Sequence, residues 1–277
     1  MKSIVRHAID PELASEGVEG DSALLASLLE SAATRAQALS LIVSTARRYA
    51  GYLSAKPSEI EPLCAAMKTG ASAAAALFAL ASGSGQVEVD IGQERVRLPA
   101  TGSTDATHPG NWRVGWWLAQ IVRDRHAIDQ LAATPIEVLR HSSTRGDEWQ
   151  YLYVEALQAI ERRASDWGTR LQRALDATDP ERFKLTAEEL VLNIIVPEME
   201  LLFHFATGDR AAFQESLQFA LARHKKYWSR ATRRRDPDGY LALGPLAIAS
   251  MARQAGFAIE VESDYLPKPL LEGRCGE

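Results

Sequence analysis

A chain of 277 residues in which 46% are hydrophobic and 24% charged has the polarity of a folded protein, and this excludes a disordered or fibrous chain. The 31 Lys and Arg against 36 Asp and Glu leave a formal charge of −5 and a pI near 5.8, which argues against a general nucleic-acid binder and permits a basic partner. Domains reach roughly 250 residues before one core stops growing, so the expected organisation is one helical domain, 1–277, with an N-terminal lobe 1–100 and a C-terminal helical lobe 107–277.

In chain order, Asp21 is a candidate N-cap ahead of Leu24, Leu25, Leu28 and Leu29, whose spacing is helical. The stripe continues through Ala32, Ala36, Leu39, Val43 and Ala46 to Tyr49, as one long helix or two short ones ending near Gly51 or Lys56-Pro57. Ser58 and Glu61 have the spacing of a capping box for the alanine-rich stretch Leu63 to Ala81, where so many small side chains predict close helix packing. Val87, Val89 and Ile91 alternate with polar residues, Gly92 offers a turn, and Val96 and Leu98 resume the alternation, so a β-hairpin is predicted at 87–98. The Thr-, Ser- and Gly-rich segment 99–110 reads as a boundary between lobes.

Trp112, Trp116 and Trp117 open a helix to about Arg123 and are read as core, since aromatics at helical spacing pack one face. Helical patterns follow at 125–133, 147–163 and 166–177. Thr186 and Glu189 form a capping box for a helix that Pro197 should kink. Gly208-Asp209 precedes a helix from Ala211 to Trp228, and Pro245 and Gly256 bracket a last helix from Gly244 to Gln254. The fold class predicted is mainly α, packed helical hairpins with one small β-hairpin. Neither apolar run is a membrane span, because 71–81 falls well short of the ~20 residues needed and 190–205 is broken by Asn193, Pro197, Glu198 and Glu200.

The two cysteines, Cys64 and Cys275, belong to no CxxC or Cys/His cluster, so two reduced thiols in the cytoplasm are expected, and the N-terminus lacks the apolar core of a secretion signal. No nucleophile elbow, zinc helix or phosphate loop is present, so no catalytic residue, metal or cofactor is assigned. The six histidines are scattered, and Glu200 with His204 at i, i+4 offers two ligands of a metal site with no third in view. Glu188 and Glu189 point apart on a helix and suit its first turn rather than acid-base work. The unusual feature is the basic run from Arg223 to Arg235, interleaved with Tyr227 and Trp228. It reads as a solvated helix end, a protein-contact patch or a nucleic-acid surface, in that order.

The C-terminal block carries Lys225-Lys226-Tyr227-Trp228, Asp236 to Tyr240, Leu243-Gly244-Pro245-Leu246-Ala247, Ala252-Arg253, Gly256 and Asp264-Tyr265-Leu266-Pro267. These residues lie within the block 223–267 and resemble the immunity protein 49 family of bacterial polymorphic toxin systems, with looser support from Trp112 to Trp117 and none from the N-terminal lobe. The resemblance implies an all-α, non-enzymatic protein that protects the producing cell by binding a cognate protein toxin, often a nuclease, in the cytoplasm. Neither a direct nucleic-acid partner nor a membrane is expected. Partner-binding candidates are Tyr227, Trp228, Arg230, Arg233, Arg234, Asp236, Asp238 and Tyr240, with an acidic alternative among Asp10, Glu12, Glu16, Glu19 and Asp21. A helical-repeat scaffold and an enzyme with an unrecognised site remain as other readings.

Overall fold

Asp10 starts the first helix: its side chain accepts from the backbone of Glu12 and Leu13, and Pro11 fills the first helical position, where a missing N–H costs nothing. The computed structural model describes residues 3–56 and 59–276, and the expected cap at Ser58 lies outside the described residues. Helix α1 runs Pro11–Ala32 and α2 Ala38–Leu53, packed on each other, so the expected long stripe is two helices. Asp21 is not a cap. It sits buried inside α1, ion-paired with Arg48 of α2.

Helix α3, Ile60–Ser82, is the centre of the molecule. It touches α2, the first hairpin strand β2 (Gln86–Ile91), whose partner is β3 (Glu94–Pro99), and the helices α4 (Pro109–Val122) and α5 (Arg125–Ala133). Its alanines allow this: a Cβ placed on Gly115 of α4 would lie 2.2 Å from the Cβ of Ala74. By length and composition α3 could cross a membrane, yet 72% of its most apolar window is buried in the fold, as suits a core helix. The hairpin pairs Val87 with Leu98 and Val89 with Val96, and Gly92 turns it at φ 63°.

Beyond α4 come α5, the short α6 (Ile136–Arg140), α7 (Glu148–Glu161) and α8 (Trp167–Asp176). Trp112, Trp116 and Trp117 are all buried, and the Trp112 Nε1 donates to the Leu131 carbonyl at 3.0 Å. Helix α9, Glu188–Thr207, begins without the expected capping box: Thr186 Oγ donates to Asp147, and Glu189 turns outward. The break expected at Pro197 is a π-turn, Val191–Ile195, in which the Val196 N–H bonds Val191 and the Asn193 amide donates to Glu189 at 2.8 Å. A wider turn just ahead of proline absorbs the bond that proline cannot make.

Gly208 at φ 76° ends α9, and Asp209 caps α10, Arg210–Trp228. After a 3₁₀ turn at Pro237–Gly239 and α11, Leu243–Gln254, the tail returns across the body. Its strand β4, Glu262–Ser263, pairs in parallel with β1, Ser3–Ile4, and the short α12, Lys268–Leu271, leads to a last turn at Arg274–Gly276. Here the expectation of two reduced thiols is corrected: Cys64 of α3 and Cys275 form a disulfide, with Cα atoms 5.2 Å apart. The tail's packing onto α3 and α4 brings the two together across 211 positions, a distance that no motif spacing encodes.

Candidate functional site

Lys225 and Lys226 occupy the last turn of α10, where cations complement the helix dipole. Past it the chain folds tightly against the body. Tyr227 is 8% exposed and lies beneath the guanidinium of Arg233, which is 4.1 Å from the ring centre. Trp228 is pressed onto Gly239, where any Cβ would fall 2.4 Å from the indole. Tyr240 is fully buried, its hydroxyl donates to the Arg235 carbonyl at 3.3 Å, and burial pushes its pKa up to about 12.

The charged candidates divide into committed and free. Arg230 and Arg233 both hold Glu189, at 2.9 Å each, and hydrogen bonding to Arg233 leads in keeping that carboxyl below its usual range. Asp238 is ion-paired with Arg47 of α2, although burial outweighs that partner and raises its carboxyl. Asp236 is exposed and caps the 3₁₀ turn through the Asp238 N–H at 3.0 Å. Arg234 is exposed, and Arg235 reaches Asp10 at 3.6 Å.

That last contact joins what the sequence kept apart. The basic turn and the N-terminus of α1 are neighbours, and from Asp10 the exposed Glu12, Glu16 and Glu19 continue along α1 as an acidic ridge. Asp21, buried against Arg48, is not part of it. The surface is therefore bipolar, one edge cationic and the other anionic.

Behind it stands a buried polar layer that sequence reasoning missed. His224 contacts the Gly239 carbonyl through Nε2 at 3.0 Å and packs on Tyr265, and burial lowers its pKa to about 3. His7 meets the same tyrosine at 2.7 Å through Nδ1. Deeper in the helical body, Glu198 of α9 accepts from Trp117 Nε1 at 3.2 Å and Tyr153 Oη at 3.1 Å, with its carboxyl raised by burial. The sequence signal for Glu198 was a carboxylate interrupting an apolar run, shared with Glu200 two positions on. Glu200 and His204 stay a lone helical pair, since among the described residues no group of three or more His, Cys, Asp or Glu is placed to hold a metal.

The family described as Immunity protein 49 matches residues 58–270. The chain belongs to that family. This immunity-family chain has no match among curated proteins and none among solved structures. The match also starts well inside the N-terminal lobe, taking in α3 and the hairpin, so the expectation that this lobe contributes nothing is corrected. Most residues that carried the resemblance are packing residues: Gly239, Tyr240, Leu246, Ala247, Tyr265 and Leu266 are all buried. What this immunity-family fold leaves exposed beside them is the bipolar surface.

Proposed function

We propose that this chain neutralises a cognate protein toxin, of the nuclease type, by binding it and covering its active site or substrate channel. The family match over 58–270 carries the reading. A continuous core from Leu25 to Cys275 gives the rigid body that occlusion needs, and a stable interface would cover about 800 Å² of it. The ridge of Glu12, Glu16 and Glu19 suits steering of a basic nuclease, whose encounter rate rises with complementary charge. The role is non-enzymatic. Against an enzyme stands the groove under the tail, about 690 Å³, in which Glu272 is already shared by Arg253 and Lys268.

The reading sets the encounter in the cytoplasm. The Cys64–Cys275 bond favours an oxidising compartment instead, and thiol trapping in intact cells decides between the two.

The test is co-expression with the product of the adjacent open reading frame, read as survival and co-purification. Rescue with a stable complex supports the reading; a harmless neighbour, or toxicity unrelieved despite well-folded protein, moves it to the scaffold. Charge reversal at Glu12, Glu16 and Glu19, or at Arg234 and Arg235, should slow association with a marked salt dependence. Unchanged rates in both sets would rule out electrostatic capture.

A further inference from the structure

Where Arg6–Asp10 crosses the end of α10, the chain leaves a cleft of about 560 Å³. Its walls carry Arg6, Lys225, Arg234 and Arg235 against one carboxylate, Asp10. Arg6 is committed to the fold, donating to the Asp264 carboxylate from its backbone at 3.0 Å and to Ser54 Oγ from Nη1 at 3.1 Å. Asp10 caps α1 and also meets Arg235, while Glu189 is taken by Arg230 and Arg233. Lys225 and Arg234 are thereby left without an ion pair among the described residues.

The histidine in the wall supplies an independent observation. His7 is 7% exposed, and its backbone N–H donates to the Tyr265 hydroxyl at 3.1 Å. The hydroxyl's own proton then has Nδ1 of the same histidine as its acceptor, at 2.7 Å. With Nδ1 accepting, the neutral ring carries its proton on Nε2, an assignment that follows from the hydrogen-bond network. Nε2 is buried and makes no hydrogen bond of full geometry, and the acceptor beside the ring is the Arg234 backbone carbonyl. A buried donor left short of a full hydrogen bond, in a wall shared with unpaired cations, suits an anion.

We propose that this cleft is an anion site which, on the toxin-binding reading above, takes an acidic side chain inserted by the partner polypeptide. Lys225 and Arg234 neutralise the incoming carboxylate, and His7 Nε2 donates to it. A polypeptide is favoured over nucleic acid because the aromatics offer no stacking platform: Tyr227 is covered by Arg233 and Trp228 is turned onto Gly239. Beside the acidic ridge of α1, a contact of opposite sign fixes the register in which a partner can dock.

The full chain, ¹⁵N-labelled, is titrated with a capped tetraglutamate, a capped tetraglutamine, inorganic phosphate and decathymidylate, while the His7 ring nitrogens are followed by NMR. The expected result is a saturable shift of His7 Nε2 with tetraglutamate alone. Lys225→Ala/Arg234→Ala, an unchanged melt showing that it folds, should weaken binding about tenfold or more, as lost charge-assisted hydrogen bonds do. His7 signals unmoved by every probe, or binding untouched by the double variant, would overturn the site. Tighter binding of decathymidylate or phosphate would overturn its assignment to a carboxylate. In co-expression, rescue by wild type and double variant alike removes the cleft from toxin binding and leaves the toxin reading standing. Rescue by neither, with tetraglutamate still bound, removes the toxin reading and leaves the anion site.

Discussion

Replacing both disulfide cysteines, Cys64→Ala/Cys275→Ala, removes a cross-link between positions 211 apart. Closing so long a loop lowers the entropy of the unfolded chain by an amount worth about 5 kcal/mol at 25 °C, whereas measured disulfides more often give about 2–4 kcal/mol. The folded side of the balance changes little. The tail is held independently by the buried Tyr265, Leu266, Leu270 and Leu271 and by the pairing of Ser3–Ile4 with Glu262–Ser263. For a chain of this size each kcal/mol moves Tm by about 2 °C, so the variant should melt about 4–10 °C below the oxidised protein. The assay is thermal unfolding of oxidised wild type, wild type unfolded and refolded with reductant present, and the double variant, with thiol content read by mass spectrometry. The last two should coincide. Two free thiols in protein purified without reductant, or a variant that melts with the oxidised protein, would refute the reasoning.

Glu198 has a raised folded pKa against an ordinary 4.5, so its stabilising contribution is complete below about that pH and is lost as pH rises through the folded value. Glu198→Gln should remove this slope and be at least as stable at neutral pH, while Glu198→Ala strands the donors of Trp117 and Tyr153 and costs about 1–3 kcal/mol for each; urea titrations across pH distinguish them. His224 has the opposite sign: its pKa falls from 6.5 to about 3, so its contribution is present above 6.5 and lost as pH drops towards 3. Between those limits stability should decline by up to about 1.4 kcal/mol per pH unit, and His224→Gln, which keeps a donor for Gly239, should flatten the profile. Gly115→Ala gains about 1 kcal/mol of helix propensity but drives a methyl into Ala74, a clash of about 1–3 kcal/mol, so chemical denaturation should show a net loss that Ala74→Gly relieves.

The elements that the sequence displayed best are those whose causes are local. The hairpin followed from alternation around Gly92, and the helix at 125–133 appears with those bounds because Asp124 caps it within one turn. Local reasoning failed wherever a partner lay far along the chain. Asp21 looked like a cap, since acidic residues before an apolar stripe often are, but Arg48 on the next helix holds it in the interior. Gly17 and Gly20 weakened the helical signal ahead of it, and Gly17 is there because the Tyr52 ring leaves no room for a Cβ.

The candidate surface divides along the same line. The basic run was legible as composition, but which of its side chains face outward was not, because an irregular turn has no periodicity from which to read a face. Packing turns Tyr227 and Tyr240 inward and occupies Arg230 and Arg233 with Glu189, leaving Arg234 and Asp236 exposed. The same packing brings in Arg6, His7 and Asp10 from the other end of the chain, carried there by β1 on β4. The residues that announce the family are largely interior, so membership transmits the scaffold. Recognition of a particular partner has to be written in the exposed neighbours, and there the fold sets a cationic cleft directly against an acidic helix.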